Sequence, residues 1–255
     1  MILVDVHAHL DTKFFKDNIE KVLKRAEENN VIAIIANGVD KNTNRQVLNL
    51  AEKYEIVKPA LGIYPTDALE KETQKKRDWD ITEEIDFIEN NKHKITALGE
   101  IGLDYKNGEN KKDQIAIFKK LIDIGKKNNL PLIVHSRQAE KDAIDILEKI
   151  EYSRIVMHCF SGSFDLVKRI IENRWYFSIP THIVRSEHMQ KLVKIAPSNR
   201  LLTETDSPFL SPFKNKKNEP GFVIESLKKI AEIKELDLKE AANLVYMNYA
   251  RLFLK

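Results

Sequence analysis

The sequence predicts an α/β fold of the (β/α)8 TIM-barrel class. Strand-length apolar runs alternate with amphipathic helical patterns along the whole chain, and eight such runs occur. The runs are rich in Ile, Val and Leu at successive positions, as strands buried on both faces of a parallel sheet must be. A chain of 255 residues is also the usual size of such a barrel.

The expected strands are residues 2–6, 31–37, 57–63, 95–101, 132–135, 154–158, 175–179 and 201–205. The segment 18–29 places Ile19, Val22, Leu23 and Ala26 on one stripe of a helix. The segment 111–128 does so with Ile115, Phe118 and Ile122, and 139–150 with Ala143, Ile146, Leu147 and Ile150. Glu-Glu-Asn-Asn and Lys-Lys-Asn-Asn read as helix stops. The polar stretch 70–80 reads as a surface loop before the third helix, and the basic run 214–218 as a loop after the eighth strand. No G-x-G-x-x-G follows the first strand, which weakens a dinucleotide-binding open sheet with the same alternation. No linker, repeat or low-complexity stretch divides the chain, so residues 1–255 are expected to form a single domain.

Composition narrows the class. Hydrophobic residues make up 42% of the chain and charged residues 32%, which excludes a disordered polymer. One cysteine, Cys159, forms no intramolecular bridge and calls for no oxidising compartment. The opening MILVDVHAHLD is interrupted by charge too soon for a signal peptide, and no run is long enough to span a membrane, so a cytoplasmic location is expected. A net charge of +3 neither demands nor excludes a nucleic-acid partner.

The reactive residues collect at strand ends, where barrel active sites lie. His7 and His9 follow the first strand, Glu100 closes the fourth, His135 the fifth, His158 the sixth and Asp206 the eighth. In an extended segment, residues i and i+2 share a face, so His7 and His9 can converge on one ion. Glu100 lies in an apolar strand between Gly99 and Gly102, where a carboxylate needs a partner or a cation. Singly, each of these histidines also reads as a hydrogen-bonded core residue, and Asp206 as a turn or cap residue. Together they are six potential ligands, more than one tetrahedral ion needs, and they lack the cysteines that structural zinc favours. Two divalent ions, Mg²⁺, Mn²⁺ or Zn²⁺, are the economical reading. Cys159 points away from its neighbour His158, and no P-loop or G-x-S-x-G offers a rival chemistry.

These residues sit in a recognisable series: Asp5-Val-His7-Ala-His9-Leu, Gly99-Glu100-Ile-Gly-Leu-Asp104-Tyr105, Gln114-x-x-x-Phe118, His135-Ser-Arg137, His158-Cys-Phe-Ser-Gly162 and Glu204-Thr-Asp206-Ser-Pro208, followed by Asn218-Glu219-Pro220 and Asn248-x-x-Arg251-Leu-Phe253. In this order, over essentially the whole chain, the series resembles the TatD deoxyribonuclease family of metal-dependent hydrolases, in the amidohydrolase-like superfamily. The resemblance implies a barrel, a divalent-metal centre and hydrolysis of DNA phosphodiesters. By that analogy His7, His9 and Asp206 hold one metal, His135 and His158 the other, and Glu100 stands between them in place of the superfamily's modified lysine. Asp206 would take a proton from the attacking water, so Asp206 and Glu100 are the expected catalytic residues.

The chain departs from the family at the third strand, where Gly62-Ile63-Tyr64-Pro65-Thr66 replaces the usual His-Pro-His. Any phosphate contact made by those imidazoles is lost or passes to Tyr64 or Thr66. Lysines 214, 216 and 217 stand where the family tends to carry arginines; Lys216 is expected to touch phosphate, although a solvated lysine loop is the plainer reading. Arg137 shares a face with His135 and suits a phosphate, or a structural salt bridge. The leading expectation is a metal-dependent deoxyribonuclease, 3′–5′ exonuclease-like, with DNA or another nucleic acid as substrate and a monomer as a plausible state. An ester or amide hydrolase such as a D-aminoacyl-tRNA deacylase is the alternative, and a non-catalytic barrel that binds a partner comes third.

Overall fold

Strands that are apolar on both faces have to lie between two covering layers, and the computed structural model, which describes residues 1–11 and 13–254, places them so. The first part of the chain forms β1 (Leu3–Ala8), α1 (Ile19–Glu28), β2 (Val31–Asn37), α2 (Lys41–Lys53) and β3 (Val57–Leu61). Two consecutive helices, α3 (Thr66–Thr73) and α4 (Ile81–Asn90), precede β4 (Ala97–Asp104). Then come α5 (Lys111–Lys127), β5 (Leu132–Arg137), α6 (Glu140–Glu148), β6 (Ile155–His158), α7 (Phe164–Glu172) and β7 (Tyr176–Pro180). A short 3-10 turn, Thr181–Val184, leads to α8 (Glu187–Ile195), β8 (Leu201–Glu204), α9 (Val223–Lys234) and α10 (Leu238–Phe253). The strands form one parallel sheet in sequence order from β1 to β8. Ala8 and Ser207 form a parallel bridge that brings the end of the sheet back to its beginning. This is the (β/α)8 barrel class that the alternation predicts. No helix among the described residues is long and apolar enough to cross a membrane.

The contacts divide the chain into two compact units. The first comprises residues 1–36, 50–58 and 176–255. Within it every residue of β1, β7 and β8 is buried. The junction of β8 with β1 is tied by side chain and backbone together: the Thr203 hydroxyl donates to the Val4 carbonyl at 2.7 Å, and the Asp206 amide donates to the His7 carbonyl at 2.9 Å. The His9 amide donates in turn to the Ser207 carbonyl at 2.8 Å. Helix α1 buries Val22, Leu23 and Ala26 and stops at Asn29, after which Asn30 takes a left-handed φ of 63°. Asparagine tolerates that conformation better than most residues, which explains the Glu-Glu-Asn-Asn stop.

The second unit comprises residues 37–49 and 59–175. Its centre is β4, all eight residues of which are buried. Backbone approaches so closely here that side chains are excluded. A Cβ at Gly62 would lie 2.3 Å from the Glu100 carbonyl oxygen, and one at Gly102, where φ is 147°, would lie 2.0 Å from that of His135. Asn44, fully buried on α2, fixes Gly62 from behind. It donates to the Gly62 carbonyl at 2.9 Å and accepts from the Gly62 amide at 3.1 Å. Its remaining donor goes to Glu84 on α4 at 2.7 Å, and Glu84 also takes Arg45 at 2.6 Å.

Several boundaries differ from the sequence expectation. Residue 2 is not in a strand, and Ile2 is exposed, because β1 begins at Leu3. Strands β4 and β5 run on to Asp104 and Arg137, which pair with each other, so Glu100 and His135 lie inside strands rather than at their ends. Strand β8 stops at Glu204, two residues short of Asp206. The expected loop 70–80 begins inside helix α3, which starts after Pro65 and ends at Gln74 with a left-handed φ of 56°. Only Ala68 of α3 is buried, so no apolar stripe betrays that helix in the sequence. The segment 214–218 is free of regular structure, as expected, but its last residue, Asn218, is buried and donates to Thr181 and to the Thr205 carbonyl.

Replacing Asn44 with alanine should strand the Gly62 amide and carbonyl in the interior, while Glu84 keeps Arg45 on both of its oxygens. Each unsatisfied buried group costs about 1–3 kcal/mol. We therefore expect the midpoint of thermal unfolding to fall by roughly 5–15 °C in Asn44→Ala, since 1 kcal/mol corresponds to about 2–4 °C for a chain of this length. An unchanged midpoint would show that Gly62 holds its place without Asn44.

Candidate metal centre

In the first unit, β1 and the segment after β8 bring three ligand-bearing side chains together. His7 lies in β1 and His9 one residue beyond it, so extended geometry turns both rings to the same face. Asp206 follows β8 with a left-handed φ of 55° and is fixed by the hydrogen bond that its amide donates to the His7 carbonyl. The two Nε2 atoms are 3.2 Å apart, and Asp206 Oδ1 lies 3.7 Å from His7 Nε2 and 3.4 Å from His9 Nε2. Ligand atoms bound tetrahedrally at about 2.0–2.2 Å stand roughly 3.3–3.6 Å from one another, so the observed spacings fit a divalent ion. His7 is fully buried, whereas the Asp206 side chain is 14% exposed.

A second carboxylate supports this triad from below. Asp5, on β1, is fully buried; it accepts from the Thr205 amide at 2.9 Å, the Thr205 hydroxyl at 2.5 Å and the His7 amide at 3.3 Å. Burial pushes the Asp5 carboxyl up to about 8, against the hydrogen bonds that favour its charged form. Asp5 thus links the strand that carries His7 to the residue next to Asp206. In the sequence only its place as an acid inside an apolar strand marks Asp5. His182, which no motif in the sequence marks, is half-buried in the turn after β7. There burial holds its pKa below the ordinary value, the charge of Arg185 adds to the lowering, and that of Asp206 opposes it.

In the second unit, Glu100, His135 and His158 are each buried, and their ligand atoms all lie within 4.8 Å of one another. Glu100 Oε1 is 2.8 Å from His135 Nδ1. The other nitrogen of His135, Nε2, is 3.2 Å from Asp104 Oδ2. A metal-binding imidazole whose second nitrogen meets a carboxylate is held in one tautomer and orientation, and Asp104 is built for that task. Its Oδ1 accepts the Lys106 and Asn107 amides at 2.9 Å each, and the side chain of Gln114 clasps its backbone amide and carbonyl, both at 2.9 Å. Burial opposes charge on Asp104, but His135, the Asn107 amide and Tyr64 outweigh it and bring the carboxyl down to about 2. Burial likewise opposes charge on His135, yet the bonds to Asp104 and Glu100 lift it to about 9. Asp104 was visible in the sequence only as part of Gly-Leu-Asp, and its role depends on the turn that follows β4.

The three expected substrate-contacting residues have different surroundings. Tyr64 is buried; its hydroxyl donates to Asp104 Oδ2 at 2.7 Å and lies 3.3 Å from His135 Nε2. Burial first, and then the charges of Glu100, Glu72 and Asp104, push its pKa far above the ordinary phenol value, so it remains a donor. Arg137 is half-exposed and pairs with Glu72 at 3.1 Å and with Asp104 at 3.5 Å. Lys216 is exposed, with its ammonium 4.3 Å from the Phe222 ring centre.

Both triads combine imidazole and carboxylate donors with no thiolate, the donor set of a hydrolytic Zn²⁺, Mn²⁺ or Mg²⁺ site rather than a structural zinc site. Comparison with known proteins places the chain among metal-dependent hydrolases. The family model described as TatD related DNase matches residues 4–254. The chain is 34% identical over 259 residues to the uncharacterized metal-dependent hydrolase YabD of Bacillus subtilis, covering 99% of each. It is 34% identical over 262 residues to human deoxyribonuclease TATDN3, covering 99% of this chain and 95% of that protein. The solved structure of YJJV, a TatD homologue from Escherichia coli, matches with a TM-score of 0.87 and 27% identity, over 98% of this chain and 97% of the other.

The charge on His135 has a measurable consequence in metal-stripped protein. Its folded pKa, about 9, exceeds the ordinary 6.5. Its contribution to stability is therefore full below pH 6.5 and lost as pH rises through 9. Thermal unfolding in chelator should accordingly shift to lower temperature over that range. Asp104→Asn, which removes the larger of the two hydrogen-bond contributions, should flatten the slope; an equally steep slope in the variant would show that Asp104 does not hold the charge.

Proposed function

The chain belongs to the TatD-related DNase family of metal-dependent hydrolases, and on that premise we propose that it is a deoxyribonuclease that cleaves phosphodiester bonds with metal-activated water. The observation that carries the reading is the pair of triads: each mixes imidazole with carboxylate, the second is buried throughout and the first in all but Asp206, and the distances in the first match the edges of a tetrahedral ligand shell. His7, His9 and Asp206 would hold one divalent ion, and Glu100, His135 and His158 a second. When bound, such ions acidify water and neutralise charge that builds on a phosphate.

The protein's own groups divide the remaining work. Asp206 is the least buried carboxylate of the six ligands and accepts the proton of the attacking water. Glu100 holds His135 by its Nδ1, while Asp104 and Tyr64 hold the same ring from the far side. The single O–H of Tyr64 is directed to Asp104, so Tyr64 serves this chain as a holder of that carboxylate more than as a donor to phosphate. Arg137 suits the phosphate better. Its pairing with Glu72 is partly exposed and worth about 0–1 kcal/mol, so an incoming phosphate can displace it at little cost. Lys216 adds a point charge from the loop after β8. Cleavage from a 3′ end, a cytoplasmic location and a monomeric state belong to the same proposal.

The test is an assay of metal-loaded protein on single-stranded DNA, duplex DNA, RNA and an aminoacyl ester, with Asp206→Asn beside it. We expect metal-dependent cleavage of DNA that chelator abolishes and that falls by about 10²–10⁴-fold in Asp206→Asn, the usual worth of a general base. Turnover of the ester alone would replace the nuclease reading with the deacylase one, and DNA cleavage surviving in Asp206→Asn would point to a contaminating enzyme.

A further inference from the structure

The exposed phenylalanines of this chain are not scattered. Among the described residues, Phe14, Phe209 and Phe213 are 39%, 52% and 43% exposed. All three lie in the first unit, on the two connections that carry the first metal triad: Phe14 between β1 and α1, Phe209 and Phe213 after β8. Phe209 is the most exposed and the nearest to the chemistry. Its amide closes a turn on the Asp206 carbonyl at 2.8 Å, and its ring centre is 6.1 Å from that of His9. A large apolar ring left open to water beside two ligand residues is an unusual placement for a side chain whose burial is worth about 1.5–3 kcal/mol.

Lysines stand against two of these rings, Phe14 and Phe213. Lys217 Nζ stands 3.2 Å from the centre of the Phe14 ring, which links the two connections. Lys216 Nζ is 4.3 Å from Phe222 and 5.8 Å from Phe213, and those two rings meet edge to face with centres 5.1 Å apart. Residues 207–218 contain Lys214, Lys216 and Lys217 and no acid. Glu219, the next carboxylate, is paired with Arg25 at 2.6 Å. On the connection between β1 and α1, Asp11 and Asp17 are matched in number by Lys13 and Lys16, so the two connections together carry an excess of lysine.

Exposed aromatic faces alternating with ammonium groups suit one kind of ligand in particular: a polyanion whose own flat rings are free to stack. We propose that Phe209, together with Phe14, Phe213 and the lysines of residues 214–217, forms a stacking platform for unpaired nucleobases next to the phosphate that reacts at His9 and Asp206. The proposal rests on the nucleic-acid reading above and deepens it. In a duplex the base faces are already stacked on one another, so the platform selects single strands or frayed ends without reading sequence. The lysines hold phosphates as point charges, and the rings supply a contact that no duplex can use.

Equilibrium binding separates this platform from its alternatives. The probe is a short fluorescent single strand with phosphorothioate links that resist hydrolysis, compared with its duplex and with a strand of abasic links, all on metal-loaded protein. Base–aromatic stacking is worth about 1–3 kcal/mol per base, so Phe209→Ala should weaken single-strand binding roughly 5- to 100-fold. Phe209→Trp should restore it. The abasic strand should bind wild type and Phe209→Ala alike, and duplex binding should not respond to either substitution. Unaltered single-strand binding in Phe209→Ala, or an equal loss for the abasic strand, would overturn the platform. So would an acidic peptide that binds with the same dependence on Phe209. Cleavage of DNA by wild type with no effect of Phe209→Ala would sink the platform alone, whereas absence of any nucleic-acid cleavage or binding by wild type would sink both proposals.

Discussion

A carboxylate buried within a barrel strand must be given a partner, and Glu100 places that demand at the centre of β4. Much of the second unit is arranged to meet it. The backbone of Glu100 is seated on Gly62, which accepts no side chain, and its amide is satisfied by the Gly38 carbonyl at 3.0 Å. Its carboxylate meets His135, which then needs an orienting group on its other nitrogen and finds it in Asp104. Asp104 in turn is saturated by two amides, a phenol and the clasp of Gln114. Each polar group satisfies one demand and creates another, until the chain of bonds reaches solvent at Arg137 and Glu72.

The first unit solves the same problem with different parts. There the polar groups are set by backbone pairing between β1 and the segment after β8, and Asp5 underlies that junction through Thr205. Strand alternation turns the two histidines to one side. The loops that leave this junction carry the exposed phenylalanines and lysines, so the segments that build one triad also furnish the surface around it. That economy is a property of the barrel, whose loops at the C-terminal ends of strands are free to vary while the strands beneath them are not.

Position in the strands was the readable part of the site. The four histidines, Glu100 and Asp206 stand out in the sequence because polar residues are rare in segments otherwise apolar at every position. Their supporting residues were harder to see. Asp5 reads as a lone acid inside an apolar strand and Asp104 as an acid just past one, while Gln114 and Asn44 look like surface residues of amphipathic helices, yet all four are buried. The reason lies in hydrogen bonds to groups distant in sequence: Asp5 reaches Thr205, and Asn44 reaches Gly62 and Glu84. Helix α3 escaped for the opposite reason, since it buries almost nothing and so leaves no periodic trace.

By itself the sequence determined the alternation of strands and helices, the barrel class and the six potential metal ligands, because burial on both faces and the chemistry of imidazole and carboxylate are written in residue types and spacing. Only the tertiary structure decided which groups hold those ligands, that the hydroxyl of Tyr64 is directed to Asp104, that Arg137 is paired with Glu72, and that three phenylalanines stay in water, two of them beside lysines. Such outcomes depend on distances between residues far apart in the chain, and on which side chains the fold leaves uncovered. Local pattern carries neither quantity.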